Sequence, residues 1–382
     1  MNILKKICAC SACVGLLMAL CSCGTQGHFL DYNASGPDFN ELEYTGSMEL
    51  DFATGFTVDE YDSYSLITID SDKYLVVPEN CEVPRNLPDN TTVIKQPLDN
   101  VYQVSSAIMD MIVAIDALDK VAYTGTKESD WYVDEVKEAM AEDRLTYAGK
   151  YSQPDYEMLL AGNCSLAVEN TMILHNPETK EKLESLGIPV MIEKSSYESH
   201  PLGRLEWIKL YGLLFGRTTE AEDFFDSQIA SLDLSENKTS TGKKVAFFYI
   251  TSNGAINVKK PGDYVARMVS LAGGEYVPYF VEGEDETSMS TINMTMEDFY
   301  VATKDADVLI YNGTIVGDIN SVDELIEKSS LFADYKAVKE GNVYATGTNF
   351  YQQTTRTCMM IEDIGKVLAD DEEGLNFLVH LD

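Results

Sequence analysis

Basic residues are scarce in this sequence. Its 382 residues include 28 Lys and Arg against 63 Asp and Glu, which gives a formal net charge of −35 at pH 7. A surface so acidic repels the phosphates of nucleic acids and the headgroups of anionic lipids. The charge therefore argues against nucleic acid and against anionic membrane surfaces as binding partners.

Histidine is rarer still, and the common hydrolase and nucleotide-binding motifs are missing. Of four His residues, only His175 and His200 lie away from the chain ends, too few for a His-rich zinc or manganese site. HExxH, GxSxG and GxxxxGK(S/T) do not occur. We therefore predict a protein that is not an enzyme, that has no cofactor and that has no metal site of its own. An axial haem ligand such as His200 or Met289 is a lesser alternative.

Long apolar runs are also absent beyond residue 22, and the one at the N-terminus is short. Lys5 and Lys6 precede an apolar run over residues 7–20, which is typical of the h-region of a secretory signal and too short to span a bilayer. The following LCSC resembles the lipobox of bacterial lipoproteins, with Cys23 as the lipidated residue. This predicts a lipoprotein signal peptide over 1–22 and a lipid anchor at the extracellular face of the membrane. The alternative is an ordinary secretory signal that happens to contain Cys.

Few cysteines remain in the body of the chain. Five of the eight lie at or before residue 23, which leaves Cys81, Cys164 and Cys358. An odd number without short paired spacings is neither a disulfide framework nor a zinc site. A bridge between Cys81 and Cys164 is conceivable, but buried free thiols are favoured.

Alternating strand and helix patterns dominate the chain beyond a polar tether at residues 23–43. Residues 64–69 and 73–78 flank Asp70-Ser71-Asp72 as a predicted hairpin. Such alternation predicts mainly parallel sheets covered by helices. Strands are predicted at 101–104, 121–123, 166–168, 189–192, 245–250, 308–311 and 343–345, and helices at 108–118, from 156, and at 180–186, 264–272 and 296–303.

A long helical pattern divides the chain in two. Residues 202–232 carry a broad apolar stripe, and Gly212 and Gly216 interrupt this pattern without ending it decisively. The predicted organisation is an N-terminal lobe at 44–198, a hinge helix at 199–236 and a C-terminal lobe at 243–382.

Several sequence blocks in this order resemble one family. They are YAGKYSQPDYE at 147–157, LGIPV at 186–190, SHPLGRLEW at 199–207, LAGGE at 271–275 and AVKEGNVY at 337–344. Together they resemble the class III, single-helix-hinge periplasmic binding proteins of ABC importers, which bind ferric siderophores, haem and cobalamin. The resemblance covers about residues 95–375. It implies an α/β fold with two Rossmann-like lobes, with central mainly parallel sheets, joined by one long hinge helix.

Candidate ligand-binding residues follow the predicted strands, because ligands of open α/β sheets bind at the carboxyl ends of the strands. Hydroxyl, amide and aromatic side chains suit a chelate of mixed polarity. For any one of these residues, such as Ser105, capping a helix is an equally good interpretation. The candidates are Ser105, Ser106, Thr126, Asn170 and Tyr197 in the first lobe, Arg204 in the hinge, and Ser252, Asn312 and Tyr351 in the second lobe.

Three further residues leave alternatives open. Arg204 either fixes a ligand carboxylate or pairs with Glu198 or Glu206. Trp131 and Tyr132 either form a wall of the cleft or pack in the ordinary way.

The resemblance implies a monomeric lipoprotein that captures a metal chelate, a ferric siderophore or a corrinoid, and delivers it to an ABC permease. By match to the family's pattern, Glu157 and Glu297 dock onto permease Arg residues, the alternative being that an acidic residue in a first helical turn needs no partner. A haem-binding or bare-ion-binding protein of the same fold is the nearest competing hypothesis. A secreted surface enzyme on a two-lobe scaffold is a more distant one.

Overall fold

The computed structural model describes residues 34–232, 240–278, 291–317 and 319–382. The predicted signal peptide, Cys23, the start of the tether and Met289 lie outside these ranges. In the described part of the chain, no helix is both long and apolar enough to cross a membrane.

A first sheet of five strands precedes the part of the chain that alternates strand and helix. Its order is β1-β2-β3-β4-β5, antiparallel except for the parallel pair β4–β5. The predicted hairpin is confirmed as β3 and β4. Both faces of these two strands are buried, because Ile67 and Val76 face the main core whereas Leu66 and Leu75 face a smaller one. The strands are β1 Tyr44–Ser47, β2 Thr57–Tyr61, β3 Tyr64–Ile69, β4 Asp72–Val77 and β5 Thr91–Lys95.

The second sheet is entirely parallel and has the order β10-β9-β6-β7-β8. Its strands are short and largely apolar on both faces, as expected for a parallel sheet covered by helices. Their carboxyl ends therefore meet at one edge. The strands are β6 Val101–Gln103, β7 Val121–Thr124, β8 Thr146–Tyr147, β9 Ala167–Glu169 and β10 Val190–Ile192.

The third sheet has seven strands in the order β14-β12-β11-β15-β16-β17, with β13 also paired to β11. β13, β11, β15 and β16 are parallel, whereas β12 and β17 run antiparallel to their neighbours. The strands are β11 Lys244–Ile250, β12 Ile256–Lys259, β13 Glu275–Val277, β14 Thr291–Met294, β15 Val308–Asn312, β16 Val343–Thr346 and β17 Leu378–His380.

Helices cover the second and third sheets, which gives the predicted α/β architecture of two lobes. Asp263 caps the helix over 264–271, because its side chain accepts a hydrogen bond from the Val265 N–H at 2.9 Å. The helices are α1 Ser106–Ala114, α2 Asp134–Ala141, α3 Tyr156–Ala161, α4 Pro177–Ser185, α5 Pro201–Glu206, α6 Ile208–Phe215, α7 Thr218–Ser231, α8 Tyr264–Leu271, α9 Met296–Thr303, α10 Gly313–Val316, α11 Val322–Lys328, α12 Lys336–Glu340 and α13 Thr357–Leu368.

The hinge segment consists of three consecutive helices, α5, α6 and α7, where one long helix was predicted. Gly216 has φ 66° and ends α6 in the left-handed conformation that favours glycine. α7 then packs against α6, and Gly212 permits the close approach, since a Cβ there would lie 2.6 Å from the Cβ of Ala221. The prediction that Gly216 does not end the helix decisively was wrong.

Two buried carboxylates of the hinge hold the loop between β1 and β2. Glu206 accepts hydrogen bonds from the backbone N–H groups of residues 51, 52 and 53 at 2.7–2.9 Å, and Glu198 accepts those of residues 54 and 55 at 2.7–2.9 Å. Lys209 donates to Glu206 at 2.8 Å, and the Trp207 indole donates to Glu198 at 3.0 Å. The first sheet is thereby fixed to the start of the hinge.

Candidate functional site

Four of the predicted residues meet at the carboxyl edge of the second sheet. Ser105, Ser106, Thr126 and Asn170 follow β6, β7 and β9, and all four line one cleft with a volume of about 420 Å³. A cleft of this size suits a small-molecule ligand. Its other lining residues are Val104, Ala107, Gly125, Lys150, Tyr151, Thr171, Met172, Glu193 and Ser196.

Hydrogen bonds and packing beneath the cleft fix the loops that line it. The Asn170 side chain accepts from the Met172 N–H at 2.9 Å, and the Thr124 hydroxyl accepts from the Thr126 N–H at 3.2 Å. The Trp131 indole donates to the Thr126 carbonyl at 3.3 Å and is itself buried in the core. Of the two alternatives for Trp131, packing is therefore correct, and this packing supports the cleft from behind.

Ser105 occupies the N-cap position of α1, as its alternative interpretation required. Its hydroxyl, however, makes no capping hydrogen bond to the helix. The backbone carbonyl of Ser105 accepts from the buried Gln103 amide at 3.1 Å, which fixes the turn between strand and helix. The Ser105 side chain is thus positioned at the cleft without being used by the helix.

Three exposed large side chains, which we call the apolar rim, follow β9 and β10, and most of them were missed from the sequence. Met172 lines the cleft itself, and Tyr197 contacts the lining residue Thr171. Met172 and Leu174 lie in a short helical turn after β9, and Tyr197 lies in the turn after β10. Their exposed fractions are 45%, 54% and 58%, high for large apolar side chains. The Tyr197 hydroxyl and the Thr171 hydroxyl are 3.2 Å apart. The sequence signal that could have found the rim is the apolar Met-Ile-Leu run directly after the strand, of which only Ile173 enters the core.

Two charged residues of opposite sign, Lys150 and Glu193, line the cleft, and Glu169 is buried outside its lining. The Glu193 carboxylate accepts from the N–H and the hydroxyl of Ser195 at 2.8 and 2.6 Å. Glu169, at the end of β9, is fully buried, and neither carboxyl oxygen has a hydrogen-bond partner among the described residues. Burial raises the pKa of Glu169 to about 8, so this carboxyl is mostly protonated at neutral pH.

The second-lobe candidates are arranged differently. Tyr351 and Arg204 line a separate narrow pocket between α5, α8 and α13. The Asn312 amide donates to the Tyr351 hydroxyl at 2.9 Å, and its oxygen accepts from the Thr314 N–H at 3.2 Å, which caps α10. Ser252 is exposed in the turn after β11 and lines neither cavity. The second lobe therefore does not add its predicted residues to the first-lobe cleft.

Arg204 stacks on an aromatic ring. Its guanidinium lies 3.8 Å from the centre of the Tyr264 ring. Glu198 and Glu206, its expected pairing partners, bind the loop between β1 and β2 instead, and Arg204 forms no ion pair with any described residue. The pairing alternative was therefore wrong, and the prediction that Arg204 binds a ligand carboxylate is left untested.

The two lobes touch beside the cleft. The Asp110 carboxylate of α1 accepts from the Thr355 N–H at 2.9 Å and from its hydroxyl at 2.5 Å. The Gln352 side chain donates to the Asp130 carbonyl at 2.7 Å and accepts from the Tyr132 N–H at 2.8 Å. Thr355 and Gln352 both belong to the segment after β16, so this one segment closes the second lobe onto the first.

The structure shows the surroundings of His200 and of the three cysteines in the body of the chain. The His200 ring stacks on Phe52 and accepts from the Leu202 N–H through Nδ1, and burial, together with the nearby Arg267, lowers its pKa to about 4. Cys81, Cys164 and Cys358 are free, the last two buried. Within residues 34–232, 240–278, 291–317 and 319–382, no group of three or more His, Cys, Asp or Glu is placed to hold a metal ion.

Glu157 and Glu297 lie on exposed helix faces, one in each lobe. Neither caps its helix: Asp155 accepts from the Met158 N–H at 2.9 Å in α3, and Thr295 accepts from the Asp298 N–H at 3.1 Å in α9. Among the described residues, neither Glu157 nor Glu297 has an ion-pair or hydrogen-bond partner through its side chain.

The chain is similar in sequence to known proteins. A sequence model of the periplasmic binding protein family covers residues 101–349, which excludes the first sheet. The lipoprotein MJ0878 of Methanocaldococcus jannaschii is 25% identical over 315 residues, covering 78% of this chain and 72% of the relative.

Solved structures share the fold at low sequence identity. The periplasmic haem-binding protein HutB of Vibrio cholerae is 18% identical with a TM-score of 0.55, covering 71% of this chain and 99% of that protein. An ABC-type Fe³⁺-hydroxamate transport protein of Saccharomonospora viridis is 20% identical with a TM-score of 0.53, covering 71% and 93%. The vitamin B12-binding protein BtuF of Vibrio cholerae is 15% identical with a TM-score of 0.50, covering 72% and 99%.

Proposed function

The chain belongs to the periplasmic binding protein family, in its class III, and from this premise we propose that it captures a metal chelate for an ABC importer. The ligand is a ferric siderophore or a corrinoid, bound in the cleft between the lobes and delivered to the permease. Relatives of the same fold whose names state a haem, vitamin B12 or hydroxamate ligand support the substrate class.

The observation that carries this proposal is the chemistry of the first-lobe cleft. Its lining presents the hydroxyls of Ser105, Ser106 and Thr126, the amide of Asn170 and the apolar side chain of Met172. The Tyr197 hydroxyl lies 3.2 Å from the hydroxyl of Thr171, which also lines the cleft. Hydroxyls and amides hydrogen-bond the polar periphery of a chelate, and apolar side chains pack on its faces. A bare ion needs several carboxylate, imidazole or thiolate ligands in one place, and the only such group lining the cleft, Glu193, is bound to Ser195.

The experiment is a ligand titration of the purified protein without its signal peptide. Tryptophan fluorescence is recorded with ferrioxamine B, cyanocobalamin, haemin and zinc chloride, beside the visible spectrum and metal content of protein isolated from its native host. We expect saturable binding of one of the first two and none of zinc. Tight binding of zinc or free ferric ion, with neither chelate bound, overturns the proposal.

We further propose that Cys23 carries a lipid anchor, which places the protein at the extracellular face of the cell membrane. The lipoprotein names of two archaeal relatives support this. Cys23→Ala should move the protein from the membrane fraction to the medium or periplasm, whereas Cys81→Ala should leave it membrane-bound. A Cys23→Ala protein that stays in the membrane fraction with its signal cleaved at the same place contradicts the anchor.

Permease docking through Glu157 and Glu297 is the third part of the proposal. Both carboxylates are exposed, and separate residues, Asp155 and Thr295, cap their helices. Both residues lie in the first turn of their helices, where the helix dipole by itself favours an acidic residue, and both carboxylates remain available to Arg residues of a partner. Glu157→Arg with Glu297→Arg should leave ligand affinity unchanged and abolish uptake, because charge reversal at both contacts repels the partner.

A further inference from the structure

The two helices that carry Glu157 and Glu297 hold equivalent places in the two lobes. α3 follows β8, the outermost strand of the second sheet, and α9 follows β14, the outermost strand of the third. β14 is antiparallel to β12, which is antiparallel to β11, so β14 runs in the same direction as β11. Each helix therefore begins at the carboxyl edge of its sheet, at the outer end of the cleft face.

Each helix also exposes one large aliphatic side chain a turn beyond its Glu. Leu160 is 50% exposed and Val301 is 74% exposed. The spacings of three and four residues put each side chain beside its Glu on the same helix face. The core-facing side of each helix is held by a different residue, Leu159 in α3 and Phe299 in α9, both fully buried. Leu160 and Val301 are therefore not needed for packing.

We propose that each Glu and its aliphatic neighbour form one docking patch, Glu157 with Leu160 in the first lobe and Glu297 with Val301 in the second. The inference rests on the permease docking proposed above. The partner is a membrane permease whose two halves each present a cation next to an apolar socket. The net charge of −35 makes a cationic partner surface the complementary one.

Physical reasons link the two members of a patch. An exposed carboxylate paired with a cation in water contributes little by itself. An apolar side chain beside the pair displaces water from the contact on docking, which strengthens the ion pair and adds buried apolar area. Isolated exposed aliphatic residues need no explanation. Here the same pairing recurs at the equivalent place in both lobes.

The test uses the full-length lipoprotein in membranes of its native host. A photoreactive p-benzoylphenylalanine is placed at position 160, at position 301, and at position 379 as a control, because Val379 on β17 is 60% exposed without a neighbouring patch. We expect cross-links from 160 and 301 to a multispanning ABC permease identified by mass spectrometry, and none from 379. No permease cross-link from 160 and 301, or equal cross-linking from 379, overturns the proposal.

A pair of variants separates this inference from the docking role it rests on. Leu160→Ser with Val301→Ser should reduce the permease co-purified with the protein by about tenfold, with Val379→Ser as the matched control. Circular dichroism and thermal unfolding should match wild type, since both side chains are exposed. If this variant associates like wild type while Glu157→Arg with Glu297→Arg does not, the patches fail and the docking role stands. If neither variant loses association, the docking role fails as well.

Discussion

The carboxyl ends of the parallel strands form one edge of the sheet in each lobe, but the polar side chains at these two edges are used differently. In the first lobe, Ser105, Thr126 and Asn170 line an open cleft with an apolar rim. In the second, Asn312 forms a hydrogen bond with Tyr351. The segment after β16 forms hydrogen bonds with the first lobe through Gln352 and Thr355. Polar groups that are already paired have less to offer a ligand. The two edges thus differ in how many of their polar groups are already paired, and on the function proposed above we infer that the first lobe makes most of the ligand contacts.

The largest effect should come from the contact between the hinge and the loop that joins β1 and β2. Glu206→Ala leaves three backbone N–H groups and Lys209 without their buried acceptor, so we expect a loss of about 4 kcal/mol in the free energy of unfolding. Urea denaturation measures it. Glu220→Ala, an exposed residue of α7 paired with Arg217, is the control and should change stability by less than ~1 kcal/mol. Equal losses in the two variants would contradict the hinge assignment.

The free energy of unfolding should depend on pH through Glu169, the buried carboxyl at the end of β9. The folded-state pKa of Glu169 is raised to about 8 from 4.5, so the folded protein holds this proton more tightly than the unfolded chain. The contribution of the neutral carboxyl to stability is fully present below pH 4.5, falls as the pH rises above that value and is lost as the pH passes through 8. Glu169→Gln should remove this decline in unfolding free energy between pH 4.5 and 8. An unchanged pH profile would show that Glu169 ionises normally.

Equivalent substitutions in the two lobes should have different effects on ligand affinity. Ser105→Ala removes a hydroxyl that the helix does not use, so we expect about tenfold weaker binding, or ~1.4 kcal/mol, with unchanged stability. Ser252→Ala is the matched change in the second lobe and should bind like wild type. The measurement is the ligand titration described above. Equal losses from both variants would remove the distinction between the lobes.

The smallest effect should appear in lobe closure. Gln352→Ala deletes two hydrogen bonds to the backbone of residues 130 and 132, each partly solvent-exposed, so the closed arrangement should lose ~0.5–1 kcal/mol. Hydrogen exchange at the Tyr132 amide should become several-fold faster, with Gln228→Ala on α7 as control. Unchanged exchange would mean that Gln352 does not hold the lobes together.

Prediction from sequence succeeded where a segment carries its own period and boundaries. α9 has the predicted bounds of 296–303, and the β3–β4 hairpin was found from its two apolar runs and the acidic turn. β1 and β2 were not assigned, because β1 is mostly exposed, β2 is mostly half-buried, and neither has a clear alternation of buried and exposed residues. α13 was also missed, since no side-chain cap marks its start.

Several properties of this protein follow from the sequence alone. Alternating strand and helix patterns determined the α/β class, because hydrophobic periodicity is a local property. The rule that ligands bind at strand ends selected Ser105, Ser106, Thr126 and Asn170, which line one cleft in the structure.

Only the tertiary structure decided which partners the side chains at those strand ends contact. Asn312 and Tyr351 resemble the first-lobe candidates in type, yet they bond to each other, and Arg204 stacks on Tyr264, 60 residues further along the chain. Glu169 is a carboxylate by sequence, and only its burial makes it a neutral acid at pH 7. Hydrogen-bond partners and local dielectric depend on which distant segments pack together, and one residue's neighbours along the chain do not specify them.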